Sequence, residues 1–410
     1  MKKIHYAIKN ESLSTKNTLV ESILKGNHSL SILKNKNGLL FSNTVLQKFI
    51  EKEAKYDTQI LTLKENRSIR TFSSGEQKKA LLNYLIEQKP AFLILDSPFE
   101  SLDIKAVSKL EQTLINLSSE ILLIQIYNRK DELLPIITTI LNIENDAIVS
   151  SIAIEKYNFK EAEIAFKGDV PKPITFYKNI PEQLVLLQNV NVDYNGDSVL
   201  NAINWQINKN EFWQLIGPNG SGKTTILSMI YGNNVKAFRQ EVYLFGKKKG
   251  TGESVWEIKE KIGFFSPAIL ELFTRKITVI QMILSGFFDS IGLYETPTYL
   301  QISLAEKWIK LLDLESKKNT SFENISTTTQ RLILIARAMI KHPPLLILDE
   351  PLVHLDNQGT AIVIALINKI VSESETTVLF VSHRNVAGLA PNLIYELTPS
   401  KNGSSGNVKI

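Results

Sequence analysis

The stretch FWQLIGPNGSGKTT, residues 212–225, decides how this sequence is interpreted. Residues 212–216 are mostly apolar and predict a buried strand, and the next nine residues match the phosphate-loop pattern of glycines followed by lysine and a hydroxyl residue. Glycines let the backbone approach phosphate oxygens, and the N-terminus of the following helix attracts the anion. We therefore predict that Lys223 contacts the β- and γ-phosphates of a nucleotide and that Thr224 binds magnesium. The alternative is a glycine-rich turn without a ligand. The residues predicted to form the loop are Gly217, Pro218, Asn219, Gly220, Ser221, Gly222, Lys223, Thr224 and Thr225.

A long internal repeat is the second feature. Residues 72–103 read FSSGEQKKALLNYLIEQKPAFLILDSPFESLD, and residues 325–356 read ISTTTQRLILIARAMIKHPPLLILDEPLVHLD, with every matched position 253 residues apart. Each copy has a polar loop, a helical run and a short apolar run that ends in aspartate. Continuous apolar runs of this length are typical of parallel strands covered by helices on both faces. The repeat therefore predicts two α/β domains.

Acidic residues follow the apolar run of the second copy. LLILDEP, residues 345–351, places Asp349 and Glu350 at the carboxyl end of a predicted strand, the edge where such sheets bind ligands. We expect Asp349 to hold magnesium and Glu350 to act as general base toward a water molecule. The next apolar run ends at His383, whose imidazole could contact the γ-phosphate. The alternatives are a helix-capping acidic pair and a surface histidine.

Composition excludes several kinds of protein. The chain has 410 residues, a formal charge of +5, a hydrophobic fraction of 43% and no cysteine. The length indicates two domains, and the absence of cysteine excludes disulfides and thiolate sites and suits a cytoplasmic protein. The first residues lack the apolar stretch of a signal peptide, and no apolar run approaches the length of a membrane span. We expect a cytoplasmic location, with any place at the inner face of a membrane depending on a partner.

Three prolines between residues 151 and 183 indicate a linker. The predicted domains are thus 1–150 and 184–410.

Taken in order, these motifs resemble the nucleotide-binding domain of ATP-binding-cassette (ABC) proteins. The wider match is similar to tandem ATPases of the molybdenum-transport or photorepair type. The resemblance implies two P-loop NTPase domains in tandem, ATP and Mg²⁺ as cofactors, hydrolysis of ATP to ADP and phosphate, and a possible membrane permease as partner. It also implies that Tyr194 stacks on adenine, although an aromatic residue at that place could instead pack in the core.

The first half departs from this pattern and is predicted to be truncated and degenerate. It contains no glycine-lysine pair followed by serine or threonine, and we match its lost phosphate loop to residues 31–44, SILKNKNGLLFSNT, with Leu39 at the lysine position. Ser97 replaces the general base, and Asn128 replaces the histidine.

The signature loops show the opposite distribution. In the family, a loop of LSGGQ type from one domain closes over the γ-phosphate held by the other. The first half keeps FSSGEQ, in which Ser73, Gly75 and Glu76 are predicted to contact nucleotide, whereas ISTTT in the second half carries threonines that hinder close approach. Paired halves would therefore have one competent composite site.

Two functional hypotheses remain open. The resemblance favours the ATP-binding component of an ABC transport system. Pro267 stands where the family commonly has a glutamine that couples to membrane subunits, so the alternative is a non-transport ABC ATPase or an ATP-dependent clamp acting on a protein or nucleic-acid partner. The mild net charge does not by itself imply nucleic acid.

Overall fold

The structure is a computed structural model. It describes residues 3–9, 16–25, 33, 36–56, 59–62, 67–100, 102, 104–127, 130–144, 147–157, 166–194, 196–269, 276–383 and 385–409. The chain divides into two units. The first unit comprises Met1–Glu161 and His354–Gln358, and the second comprises Ala162–Val353 and Gly359–Ile410. The predicted linker thus spans the division, and its exact limits stay a prediction.

The first unit contains a six-stranded sheet in the order β2-β3-β4-β1-β5-β6. Five of these strands are parallel, and β6 runs antiparallel to β5. Its elements are β1 (Tyr6–Lys9), α1 (Lys16–Leu24), β2 (Gly38–Phe41), α2 (Asn43–Tyr56), α3 (Ser74–Glu87), β3 (Phe92–Asp96), α4 (Ile104–Leu117), β4 (Leu122–Tyr127), β5 (Thr139–Glu144) and β6 (Ala147–Ala153).

The second unit contains a four-stranded antiparallel sheet and a six-stranded, mainly parallel sheet. The antiparallel sheet has the order β11-β10-β7-β8, and the other has the order β12-β13-β14-β9-β15-β16. The elements are β7 (Gln183–Tyr194), β8 (Asp197–Asn208), β9 (Phe212–Ile216), α5 (Lys223–Ile230), β10 (Glu241–Leu244), β11 (Lys247–Lys248), α6 (Val255–Glu260), β12 (Ile262–Phe265), α7 (Val279–Leu284), α8 (Tyr299–Leu311), α9 (Thr327–Met339), β13 (Leu345–Asp349), α10 (Asn357–Glu373), β14 (Thr377–Ser382), β15 (Leu393–Thr398) and β16 (Ser405–Lys409).

The strands named from the sequence are confirmed at Phe92–Asp96, Phe212–Ile216 and Leu345–Asp349. Within β3, alternate residues face different cores. Leu93 and Leu95 belong to one buried cluster of the first unit, and Phe92 and Ile94 belong to the other. This double burial explains why the strand has no polar alternation.

The two parallel sheets have the same strand order, and this corrects one sequence prediction. Gly38 pairs with Phe92, as Ile262 pairs with Leu345, so β2 corresponds to β12 at the edge of the sheet. Leu39 therefore lies in an edge strand and not in a phosphate loop.

The phosphate loop of the second unit follows β9, whose counterpart in the first unit is β1. The matching loop is therefore the β1–α1 connection, residues 10–15, which lies outside the described residues. The helix that follows it begins at Lys16, just as α5 begins at Lys223. The first half thus keeps a lysine at this place, and residues 10–15, NESLST, contain no glycine.

The corrected match shows where the first unit is shortened. Matched residues differ by 207 for Lys16 and Lys223, by 224 for Gly38 and Ile262, and by 253 for Phe92 and Leu345. The first unit is therefore 17 residues shorter (224 minus 207) in the region that contains β10, β11 and α6 in the second unit. It is a further 29 residues shorter (253 minus 224) in the region that contains α7 and α8.

Within the described residues, no helix is both long and apolar enough to cross a bilayer.

Candidate nucleotide site

The loop between β9 and α5 has the backbone that its glycines predict. Gly220 and Gly222 have positive φ angles of 76° and 88°. A Cβ on Gly222 would lie 2.5 Å from Leu200 Cδ2, and one on Gly217 would lie 2.6 Å from Ser221 Oγ. Larger residues at Gly217 and Gly222 would therefore push the loop away from its neighbours.

Lys223 lies under this loop with 7% of its surface exposed. Its Nζ donates to the carbonyl oxygens of Gly217 at 2.6 Å and Pro218 at 3.1 Å, and it lies 3.1 Å from Nδ1 of His383. The ammonium group is thus held at the centre of the loop, where it can neutralise phosphate charge.

The catalytic candidates lie at the carboxyl ends of neighbouring strands. Asp349 ends β13, and Glu350 follows it with a left-handed φ of 49°. The Glu350 amide donates to the Val381 carbonyl at 3.0 Å, and this bond holds the residue against β14. Oε1 of Glu350 lies 2.8 Å from Nε2 of His383. Lys223, His383 and Glu350 therefore form a continuous chain of contacts.

The two neighbouring carboxyl groups have different electrostatic environments. Burial, together with the charge of Glu350, raises the pKa of Asp349 to about 6. Burial also acts to raise the pKa of Glu350, but the hydrogen bond to His383 and the charges of His383 and Lys223 outweigh it, so the pKa falls below its usual value. Glu350 is thus ionised at neutral pH and able to accept a proton.

The hydroxyl groups nearby are compatible with bound magnesium nucleotide. Ser221 is 1% exposed, and its Oγ has no hydrogen-bond partner among the described residues. Thr224, the second residue of α5, is exposed. A buried hydroxyl without a partner is costly unless a ligand supplies one, and carboxylate and hydroxyl oxygens are ligands that Mg²⁺ prefers. The donor set of Thr224 and Asp349 therefore fits this metal.

Tyr194 ends β7 with its side chain 40% exposed. Its hydroxyl accepts from Nδ2 of Asn234 at 3.0 Å, and Nζ of Lys236 lies 5.7 Å from the ring centroid. The ring is therefore not a core residue, and it can stack on an aromatic ligand.

The signature residues of the first unit form the N-terminus of α3. The Ser73 amide and hydroxyl both donate to Oε2 of Glu76 at 2.8 Å, and Ser73 Oγ accepts from the Glu76 amide at 3.4 Å. The hydrogen bonds from Ser73 lower the pKa of Glu76. A Cβ on Gly75 would lie 3.1 Å from that of Ala106, so this position is also tightly packed. The immediate role of Glu76 is thus to cap the helix.

The structure brings Lys223, His383, Glu350 and Asp349 together within the second unit, which also contains Tyr194. Ser73, Gly75 and Glu76 belong to the first unit. The first unit has Ser97 at the place of Glu350, and Ser97 Oγ donates to Asp96 Oδ1 at 3.3 Å. Asn128 lies outside the described residues.

Comparison with known proteins identifies the family. The family model described as ABC transporter matches residues 200–353. The ABC transporter ATP-binding protein ModF of Escherichia coli (strain K12) is 35% identical over 332 residues, which cover 78% of this chain and 68% of ModF. The chain belongs to the ABC transporter ATP-binding protein family. It is therefore an ATP-binding protein and an ATPase of that family.

Two further similarities extend along this ABC ATPase. An uncharacterized ABC transporter ATP-binding protein, C323.04, of Schizosaccharomyces pombe is 31% identical over 77% of this chain and 66% of its own length. The chain thus spans about two thirds of these relatives. The crystal structure of an archaeal ribosomal stalk protein aP1 complex with the ribosome recycling factor aABCE1 matches 98% of this chain and 85% of that chain, with a TM-score of 0.63 and 16% identity. This match supports the fold of two tandem P-loop NTPase domains, the first truncated and degenerate.

The position after β12 differs between the units of this ABC ATPase. Ser266 and Pro267 follow β12, and the matched residues after β2 are Ser42 and Asn43. Nδ2 of Asn43 donates to Oε2 of Glu100 at 2.8 Å. An amide side chain at this place therefore occurs in the first unit, whereas proline occupies it in the second.

One polar contact of the site was missed from the sequence. Gln214 in β9 is buried, and its Nε2 donates to Ser382 Oγ at 2.9 Å, directly before His383. A single glutamine in the apolar run FWQLI was the signal, because a buried amide needs a partner.

Proposed function

We propose that this chain hydrolyses ATP at one competent site, built on the phosphate loop, carboxylates and histidine of the second unit. The observation that carries the proposal is the Lys223–His383–Glu350 chain, whose contacts measure 3.1 Å and 2.8 Å. The matched strand end of the first unit has Ser97, which cannot act as a general base at neutral pH.

Each residue has a separate task in this proposal. The loop amides and Lys223 bind the β- and γ-phosphates, Tyr194 stacks on adenine, and Glu350 orients and deprotonates water. His383 holds the Glu350 carboxylate and contacts the γ-phosphate. Thr224 directly and Asp349 through water would hold Mg²⁺, which neutralises charge on the phosphate oxygens when bound.

We further propose that the signature loop of the first unit, Ser73 to Glu76, completes this site by binding the γ-phosphate. The support is the distribution of residues in the sequence: the loop that keeps serine and glycine is in the half without a glycine-rich phosphate loop. Random loss would not preserve the parts of one site and remove those of the other.

Nucleotide stoichiometry tests this proposal directly. A full-length Glu350→Gln variant, which should bind ATP without hydrolysing it, is expected to retain one ATP per chain in equilibrium binding with Mg²⁺ present. Two tightly bound nucleotides per chain would contradict a single competent site. A Ser73→Ala change in the same background should weaken ATP binding, and unaltered ATP affinity would remove the signature loop from the site.

We propose that the physiological setting is an ABC transport system, with this chain as its ATP-binding component at the cytoplasmic face and a membrane permease as partner. The similarity to ABC transporter ATP-binding proteins supports this assignment. Affinity purification of the tagged chain from membranes should recover a membrane-spanning protein in stoichiometric amount.

Pro267 favours a second candidate, a non-transport ATPase that acts on a protein or nucleic acid. Proline has no side-chain amide with which to couple to membrane subunits or contact a metal. Recovery of the chain with a ribosome or nucleic acid, and without a membrane protein, would support this candidate over transport.

A further inference from the structure

Arg331 is a buried cation with little to bind. It is the fifth residue of α9 and is 2% exposed. Its Nη2 donates to the Val353 carbonyl at 3.0 Å, whereas Nε and Nη1 have no hydrogen-bond partner among the described residues. Its guanidinium also lies 5.0 Å from the ring centroid of Phe265. One hydrogen bond and one ring are therefore its contacts.

The carbonyl that Arg331 binds closes the turn that carries the general base. The Val353 amide donates to the Glu350 carbonyl at 3.3 Å, so residues 350–353 form a single turn after β13. Glu350 occupies the first position of that turn in a left-handed conformation, with φ of 49°. Arg331 thus holds the end of the turn opposite Glu350.

The repeat places a cation at the same position in the first unit. Lys78 is the residue 253 positions before Arg331, and it is 4% exposed. Its Nζ donates to the carbonyl oxygens of Pro98 at 2.9 Å and Glu100 at 2.7 Å. Glu100 matches Val353, and its amide donates to the Ser97 carbonyl at 3.2 Å. In both units, therefore, a buried cation under the signature helix holds the turn after the acidic strand.

Packing alone does not explain this choice of side chain. Burial lowers the pKa of Arg331 to about 10, so the side chain remains charged at neutral pH. A buried donor without a partner costs about 1–3 kcal/mol, and the Phe265 ring compensates only part of that cost. Methionine would fill similar space without it. The hydrogen bond to Val353 is the contact that an apolar residue could not make.

We infer that Arg331 is a positioning residue for ATP hydrolysis, which fixes the Glu350 turn through the Val353 carbonyl. The inference rests on the proposed role of Glu350. A displacement of about 1 Å at a catalytic group can reduce a rate by up to 100-fold, so loss of the clamp should act on kcat. Nucleotide binding should be spared, because Arg331 is not among the residues of the phosphate loop.

The test measures steady-state ATPase activity and ADP affinity by calorimetry on full-length variants. Arg331→Met should lower kcat by about 10- to 100-fold while changing the Kd for ADP by less than about twofold. Arg331→Lys should keep kcat within about threefold of the unmodified chain, because Lys78 shows that lysine can bind the same turn. Equal losses in the Met and Lys variants would overturn the inference, as would a parallel loss of ADP affinity.

Arg337 supplies a matched control on the same helix. It is 6% exposed, and it donates to Ser285 Oγ at 2.9 Å and to the Ser290 carbonyl at 2.9 Å, away from the Glu350 turn. Arg337→Met should lower the thermal midpoint while kcat stays within about twofold of the unmodified chain. If both Met variants lose activity in proportion to stability, Arg331 has only a structural role.

Two further variants keep the outcome decisive. If Arg331→Met does not fold, Arg331→Gln replaces it, with kcat expected below that of Arg331→Lys at the same ADP affinity; any other order contradicts the inference. Glu350→Gln separates the two assignments. Normal turnover in Glu350→Gln removes the proposed function, whereas an inactive Glu350→Gln beside a fully active Arg331→Met removes only the role of Arg331.

Discussion

The two units share a backbone framework but not a chemistry. Their parallel sheets have the same strand order. Ser97 and Glu350 both have left-handed φ angles, 45° and 49°, and so do Lys89 and His342, 49° and 50°. These matched irregularities persist although the side chains that they carry are different.

The comparison shows that sheet packing, rather than catalysis, maintains the framework. The Ser97 amide donates to Ile126 at 3.1 Å, as the Glu350 amide does to Val381 at 3.0 Å, so a strand-to-strand bond holds each residue. Side chains that carry charge contribute to function but cost desolvation, and they can be lost without disturbing the sheet. Four experiments can sharpen or break this contrast.

The largest expected difference concerns the general base. Glu350→Gln should lower kcat by about 100-fold or more, because general acid–base catalysis typically contributes 10²–10⁴-fold. The matched Ser97→Glu change in the first unit should leave kcat within about twofold, since Ser97 carries no catalytic group. Steady-state release of phosphate measures both variants, and a large gain of activity in Ser97→Glu would show that the first unit needs only a carboxylate to hydrolyse ATP.

The next difference concerns the two lysines that begin α5 and α1. Lys223→Ala should weaken ATP binding by about tenfold or more, because a hydrogen bond to a charged group contributes about 1.5–3 kcal/mol. Lys16→Ala should change ATP affinity by less than about twofold, because its loop lacks glycine. Equilibrium binding of ATP distinguishes the two, and equal losses would mean that both units bind nucleotide.

A smaller difference is expected at the signature helices. Exchanging matched residues, Gly75→Thr in α3 should lower kcat about tenfold, because a side chain hinders close approach of phosphate. Thr328→Gly in α9 should change kcat by less than about twofold. Thermal midpoints of both variants control for folding, since a Cβ at Gly75 would lie 3.1 Å from Ala106. The reverse ranking of kcat values would contradict the composite site.

The smallest effect is on stability at acid pH. Burial lowers the pKa of His342 from its ordinary 6.5 to about 4. The unfolded chain then binds more protons than the folded one between these values, so stability falls as pH decreases from about 6.5 to 4, by on the order of 2 kcal/mol. His342→Asn, which tolerates the left-handed backbone, should reduce this slope in chemical denaturation. Lys89→Asn at the matched exposed position is the control and should not change it.

The sequence predicted those parts of the fold in which the pattern is local. The strands at 92–96, 212–216 and 345–349 could be found because buried parallel strands are continuously apolar. The loop at 217–222 could be found because phosphate binding needs glycine at particular positions. The gap-free repeat of residues 72–103 in 325–356 also placed the signature helices correctly.

The wrong match of the first phosphate loop shows the limit of this approach. Before Phe72 the two repeats differ by 17 and 29 residues in length, and few residues are shared. Lys16 could be found only when β1 was seen beside β4, in the place that β9 occupies beside β14.

The sequence by itself determined the fold class, the family resemblance and the identity of the groups that can bind phosphate and accept a proton, because these depend on residue type and short spacing. Only the tertiary structure decided which residues of the two halves are equivalent, that His383 bridges Lys223 and Glu350, and that Arg331 holds the Glu350 turn. These contacts join residues up to 160 positions apart, and parallel strands, rather than neighbours along the chain, bring them together.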